Sequence, residues 1–165
     1  MIYYTDLYIP SIKKTFLIAK NDMGVCNFAF DNNEKRFVIS LEKYLDDKAE
    51  RSSSKLKNEV KQVQEYFAGK RKTFDMKVFL KGTSFMTKAW VALSKVKYGE
   101  TISYSELAEK AGNKKAVRAA ATSCAKNPLP VIIPCHRVIA KDGSLGGFGG
   151  GIELKKKMLK LEKVI

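Results

Sequence analysis

The chain has a single histidine, and it directly follows one of the three cysteines, in Ile133-Pro134-Cys135-His136-Arg137-Val138-Ile139. A free thiol ionises at a pKa of roughly 8.5, so near neutral pH it needs a base, or a base acting through water, to become nucleophilic. Adjacency alone does not provide that contact, because neighbouring side chains on an extended strand point to opposite faces. Pro134 removes a backbone donor and fixes the local turn. The segment therefore reads as a buried apolar strand, Val131 to Ile133, that breaks at a Cys-His pair. A structural cysteine beside an incidental histidine is the plain alternative. A bare Cys-His dipeptide would favour it, but the seven-residue pattern is more specific.

Cys26, Cys124 and Cys135 are an odd number at irregular spacing, so they form no disulfide framework, and a reducing cell interior is expected. One histidine and three scattered cysteines lack metal-ligand spacing, so neither a metal nor another cofactor is expected. The N-terminus lacks the basic stretch and apolar core of a secretory signal. No run approaches the roughly 20 apolar residues of a membrane span, so no membrane partner is expected.

Charge points to a polyanion. Residues 1–80 hold 15 basic and 11 acidic side chains, and residues 81–165 hold 16 and 6, so the second half carries +10 of the net +14. Such an excess neutralises phosphates and releases counterions. A lysine-rich composition, 26 of 31 basic residues, is the competing explanation, but it does not account for the asymmetry.

Two domains are expected, 1–81 and 82–165. In the first, Met1–Ile9, Lys14–Ala19, Gly24–Phe30 and Arg36–Leu41 alternate with turn residues and read as an antiparallel strand meander. Ser52-Ser53-Ser54 suggests a loop and helix cap before a helix carrying Leu56, Val60, Val63 and Phe67. Thr73–Leu80 reads as a strand or extended linker. The second domain reads as mostly helical. Ser84 is the expected cap of a helix with Phe85, Ala89, Val91–Leu93 and Val96 inward, ending near Tyr98-Gly99. Ser103 precedes Glu106 by three, a capping-box pattern that opens a helix over Tyr104–Ala111. Gly112-Asn113 turns into a helix over Lys114–Ala125, which gives a helix-turn-helix. A final helix spans about Ile152–Lys163, with Ile152, Met158, Leu159 and Leu161 as inner residues.

The helix over Lys114–Ala125 is unusually bare. Ala116, Ala119, Ala120 and Ala121 leave one surface nearly without side chains, and Arg118 stands among them. Packing against a neighbouring helix would explain the alanines equally well. With Lys114, Lys115 and Lys126 nearby, a DNA-facing helix is the functional reading.

The sequence from about Phe85 to Glu162 resembles the O6-alkylguanine-DNA alkyltransferases, which move an alkyl group from guanine in duplex DNA to their own cysteine. The resemblance rests on the Pro-Cys-His-Arg run, on Gly99-Glu100-Thr101-Ile102-Ser103-Tyr104 before the helix-turn-helix, and on Asn127-Pro128-Leu129-Pro130. The first domain matches only in layout. The implied fold is an α/β N-terminal domain with a small antiparallel sheet, followed by a helical C-terminal domain with a winged-helix-like helix-turn-helix. Cys135 falls on the acceptor thiol, His136 on its base and Glu162 on the carboxylate that orients the base. Tyr104 falls on the tyrosine that crowds the phosphate backbone and donates to guanine N3. Asn127 lies in the hinge. Arg118 falls on the finger that fills the space left by a flipped guanine. Lys114, Lys115, Ala116, Ala119, Thr122 and Ser123 fall on the DNA side, and Pro130, Val138, Phe148, Gly149 and Gly150 around the base pocket.

A base inside the stack is out of reach of a thiolate, so it must be rotated out, at a cost of a few kcal/mol. The implied activity is single-turnover DNA repair on alkylguanine duplex by a monomer, in the cytoplasm at the nucleoid or in a nucleus. Phe148 stands where a tyrosine is common and Gly149 where serine is frequent, which removes two hydroxyls. A Glu162→Gln exchange is expected to keep the shape and slow transfer. Two other readings stay open: a Cys-His hydrolase, which would turn over, and a DNA-binding module that recognises alkylated bases without repairing them.

Overall fold

Turn residues bound the strands of the first forty residues as their spacing suggests. The computed structural model describes residues 1–165 and has two compact units, Met1–Leu80 and Lys81–Ile165. In the first, β1 (Ile2–Ile9), β2 (Lys14–Asn21) and β3 (Gly24–Ala29) form an antiparallel meander. The Asn21 side chain accepts from the Met23 and Gly24 amides and tightens the second turn. A Cβ on Gly24 would lie 2.6 Å from the Lys77 carbonyl, so only glycine fits there. The 73–80 stretch is extended but contributes only a single bridge, Val25 to Val78.

Three details differ from expectation. Arg36–Leu41 is not a strand but part of α1 (Glu34–Leu45), which is capped by Asn33. Phe37 and Leu41 lie one turn apart and both face the core, and that spacing outweighs the strand propensity of the intervening Val38 and Ile39. A short β4 (Ala49–Arg51) pairs in parallel with β1, so the sheet order is β3-β2-β1-β4 and one edge is not antiparallel. The serines at 52–54 do not cap α2 (Lys57–Phe67), whose N-cap is Leu56 at the end of a 3-10 turn. Cys26 lies in the core of this unit, and burial pushes its thiol up to about 12.

In the second unit, α3 (Ser84–Ser94) is capped by Thr83 rather than Ser84. The Thr83 hydroxyl accepts from the Met86 amide at 3.2 Å. The helix ends several residues before Tyr98, and Val91 is exposed rather than inward. The capping box at Ser103 is present and opens α4 (Tyr104–Lys110). Gly112, at φ +101, makes the turn. The next helix, α5 (Val117–Ala125), starts later than its composition suggested, so Lys114 and Lys115 lie in the turn before it. The Trp90 indole donates to the Ser123 carbonyl at 2.8 Å and fastens α3 to α5. A two-residue strand, β5 (Ile102–Ser103), pairs in parallel with β6 (Val138–Ile139).

No strand forms at Val131–Ile133. Asn127 knots this segment into turns instead: its amide donates to the Ile133 carbonyl at 2.8 Å, and its oxygen accepts from the Leu129 amide at 3.0 Å. Val131 is thereby held at φ 76, an uncommon conformation for a β-branched residue. The last helix, α6 (Ile152–Leu161), buries Leu154, Lys155, Met158 and Leu159 and leaves Ile152 exposed. No helix is long and apolar enough to cross a membrane.

Candidate active site

Pro134 leads into a 3-10 turn, Cys135–Arg137, that places three consecutive side chains in different surroundings. Cys135 is 7% exposed, and His136 is fully buried. The His136 Nε2–H donates to Glu162 Oε2 at 2.6 Å. A carboxylate only accepts, so Nε2 carries the proton and Nδ1 keeps the lone pair of a base. Burial holds the imidazole below its ordinary pKa, opposed by the hydrogen bond to Glu162, so the ring is neutral near pH 7 and able to take a proton.

Glu162 is the C-cap of α6 and is itself buried. Arg137 grips it with Nε–H to Oε1 at 2.8 Å and Nη2–H to Oε2 at 3.2 Å. The Gly99 amide donates to Oε1 at 3.2 Å, and Arg137 Nη1–H is fixed on the Val96 carbonyl at 2.7 Å. Glu162 is therefore no solvated helix glutamate. Its ion pair with Arg137 keeps it charged, and His136 uses the remaining acceptor capacity.

Cys135 borders a cavity of about 410 Å³ together with Tyr104, Ala121, Cys124, Phe148 and Gly149. Burial pushes the Cys135 thiol up, opposed by hydrogen bonding from the Asn127 amide and by the charge of Lys155. Cys124, half-buried, is pushed up to about 12 by burial. Tyr104 is also raised by burial, so its hydroxyl remains a proton donor. A Cβ on Gly146 would sit 2.7 Å from that hydroxyl, so the glycine lets the loop close against Tyr104. A larger cavity of about 630 Å³ between α3 and α4 is lined by Lys88, Lys95 and Lys110 but holds no nucleophile or base pair, so its size does not make it the reactive site.

Arg118, Ala119, Ala121 and Thr122 lie on an exposed face of α5, and Lys114, Lys115 and Lys126 are exposed beside it. Ala116, the N-cap, is half-buried. Ser123 does not belong to this face. It is fully buried, and its hydroxyl donates to the Ala119 carbonyl because an i−4 bond satisfies it inside the fold. Pro130 and Val138 are buried residues that support the turn rather than line the cavity, and Gly150 is half-buried just past its wall.

The sequence reading missed Arg137, Gly99 as a donor, and Lys155. The first was legible as the residue after the histidine. Lys155 lies three and four residues before Met158 and Leu159, inside the apolar stripe of α6.

Residues 2–80 match the family model described as 6-O-methylguanine DNA methyltransferase, ribonuclease-like domain, and residues 84–164 match its DNA binding domain. A methylated-DNA–protein-cysteine methyltransferase of Methanosarcina barkeri is 37% identical over 160 residues, 97% of each chain. The inducible methylated-DNA–protein-cysteine methyltransferase of Bacillus subtilis is 37% identical over 96% of this chain and 84% of its own. The structure of Mycobacterium tuberculosis OGT in complex with DNA aligns with a TM-score of 0.84 at 34% identity, covering 98% of this chain and 92% of that one.

Proposed function

The chain belongs to the 6-O-methylguanine DNA methyltransferase family, and on that premise we propose Cys135 as the residue that receives the alkyl group. The protein is a DNA repair methyltransferase that acts by alkyl transfer from DNA to a cysteine of its own. The observation that carries the residue assignment is the cavity shared by Cys135, Tyr104 and Phe148, backed by the His136–Glu162 pair.

The S–H proton of Cys135 passes through water to His136, and the imidazolium is held by Glu162. The thiolate attacks the alkyl carbon in line; the S–C bond forms and the C–O6 bond breaks. Guanine leaves as an anion and takes a proton, for which the Tyr104 hydroxyl is the donor. A thioether is a poor leaving group, so each chain reacts once. Phe148 supplies an aromatic wall for the extruded base. With Gly149 in place of a hydroxyl residue, only its backbone N–H remains to meet O6. The bare face of α5 lies against the duplex, and Arg118 stacks in the space the base vacates. The exposed lysines anchor phosphates. The protein works as a monomer, and with bacterial and archaeal relatives its place is the cytoplasm, at the nucleoid.

Intact-protein mass after reaction with duplex DNA bearing O6-methylguanine should show one methyl group per chain, on the peptide containing Cys135. Methyl on Cys26 or Cys124, or more product than protein, would refute the assignment.

Arg118 can be tested separately. Arg118→Ala should slow repair of a duplex lesion by about 1–3 kcal/mol of lost stacking, roughly fivefold to a hundredfold. Reaction with free benzylguanine, which needs no open duplex, should change little. Equal losses on both substrates would place Arg118 in the chemistry or in fold stability.

A further inference from the structure

The cavity between α3 and α4 takes no part in the chemistry assigned to Cys135, and its lining has two characters. It encloses about 630 Å³, and the buried residues Ala92, Val96, Ile102 and Ala111 form its apolar floor. Val91 carries that floor out to the surface, where it is 43% exposed. Three exposed lysines stand on the rim, Lys88 and Lys95 from the α3 side and Lys110 from the last turn of α4. Lys88, Val91, Ala92 and Lys95 are spaced along one helical face, so a cation flanks the apolar pair on either side. None of the three lysines takes part in an ion pair. Glu100 is the one carboxylate in the lining.

A lysine at the end of a helix complements the helix dipole, which accounts for Lys95 and Lys110 singly. It does not account for Lys88, which lies mid-helix, or for an exposed valine between two cations. A duplex is a poor occupant, because its phosphates would meet the lysines but leave the apolar floor nothing to bury. The cavity also takes no residue from α5, the face assigned to DNA. A second copy of a chain with net charge +14 is repelled. A free inorganic anion fills neither the volume nor the floor. We propose that the α3–α4 cavity is a docking site for an acidic amphipathic segment of a partner protein. Apolar side chains of the segment enter over Val91, Val96 and Ile102, and its carboxylates meet Lys88, Lys95 and Lys110.

The volume is that of a site that buries most of a small ligand, and it admits more than one large side chain, which is how a helix seats its apolar face in a groove. Affinity comes mainly from the anchors buried on the floor, while the rim charges set selectivity and the rate of encounter. The α3–α4 cavity shares no residue with the cavity of Cys135 or with α5, so the docked segment occupies neither the reactive turn nor the DNA face. The second unit thus carries two surfaces for anions. One is a bare helix face flanked by lysines, suited to phosphates. The other is concave and apolar within its ring of lysines, suited to carboxylates on a greasy backing.

The test uses the full chain and a fluorescein-labelled helical peptide with leucines along one face and glutamates on the others. Binding is read by fluorescence anisotropy at near-physiological salt. The peptide should bind saturably, one per chain, and equally well when the protein is saturated with undamaged duplex. A peptide with lysines in place of the glutamates, and one with serines in place of the leucines, should each bind about tenfold more weakly or worse. Lys88→Glu should weaken binding of the first peptide about tenfold, and Val91→Ser about fivefold. Both positions are exposed, so the thermal unfolding midpoint should stay close to wild type. If either variant unfolds early, amide NMR of the wild type decides: the peptide should shift the signals of Val91, Val96 and Ile102 and leave those of Arg118 and Thr122 in place. Absence of saturable binding, binding indifferent to both substitutions, or equal binding of the serine peptide would overturn the proposal. Displacement of the peptide by duplex, with shifts confined to α5, would also overturn it, because the peptide would then be a duplex mimic on the DNA face.

Discussion

Glu162→Gln should destabilise the protein by about 3–5 kcal/mol, the usual cost of leaving one member of a buried ion pair without its partner. The exchange alters little volume, and the sequence alone suggested a variant that keeps its shape. The buried geometry changes that expectation. Four donors converge on the Glu162 carboxylate, from His136 Nε2, Arg137 Nε and Nη2, and the Gly99 amide. An amide offers one oxygen to this set and turns an NH2 group toward the remaining donors. Arg137 then keeps its charge in a dry place with the Val96 carbonyl and the face of the Tyr98 ring as its undisturbed partners. Denaturant unfolding should show the midpoint falling sharply. The fraction that stays folded should transfer methyl groups slowly, because the imidazolium has lost its counter-charge. Stability equal to wild type would show that the ion pair contributes nothing net. His136→Ala combined with Glu162→Gln should transfer little worse than His136→Ala alone, since residues that act as a unit give non-additive losses.

Cys135→Ala should abolish methyl transfer while duplex binding persists. On the proposed assignment the side chain is the nucleophile, and the small residue that replaces it fits a buried site, 7% exposed. Neither other thiol can substitute: Cys26 sits in the core of the first unit, and Cys124 is held near 12 by burial. Gel-shift affinity for methylated duplex close to wild type, with no methyl on any peptide, is the expected pair of results. Methyl appearing on Cys124 would make the cavity, not the Cys-His turn, the source of reactivity. Loss of DNA binding with the thiol would mean that Cys135 supports the fold.

The parts of the molecule that were legible in the sequence are those where local chemistry dictates local structure. The capping box at Ser103 and Glu106, the glycine turn at 112 and the first three strands all rest on contacts within a few residues. The misreadings occurred where distant contacts decide. The Phe37–Leu41 run has strand-like residues but packs as a helix, because its two inward side chains meet a sheet whose position the local sequence does not encode. The Val131–Ile133 run is apolar and β-branched, yet one amide six residues before Ile133 bends it into turns. At the site, Cys135 and His136 announce themselves by adjacency, whereas Glu162 is 26 residues from His136 and only the fold shows the hydrogen bond between them. Lys155 looked like one more cation in a lysine-rich helix, and only its place between Leu154 and Met158 hinted that it turns inward.

The seclusion of the Cys135 thiol also bears on how long an unused molecule lasts. A protein that reacts once is lost as surely to a stray oxidant or electrophile as to its proper substrate. Oxidation follows thiolate character and exposure, and Cys135 at rest has little of either. Between lesions the chain waits with its sulfur protonated and covered, and Asn127 and Lys155 oppose only part of the effect of burial. On the proposed reading, the wall of the cavity beside Cys135 that would receive the base also protects the unused thiol. A substitution that loosened that wall would be felt first as a slow loss of competent protein in undamaged cells.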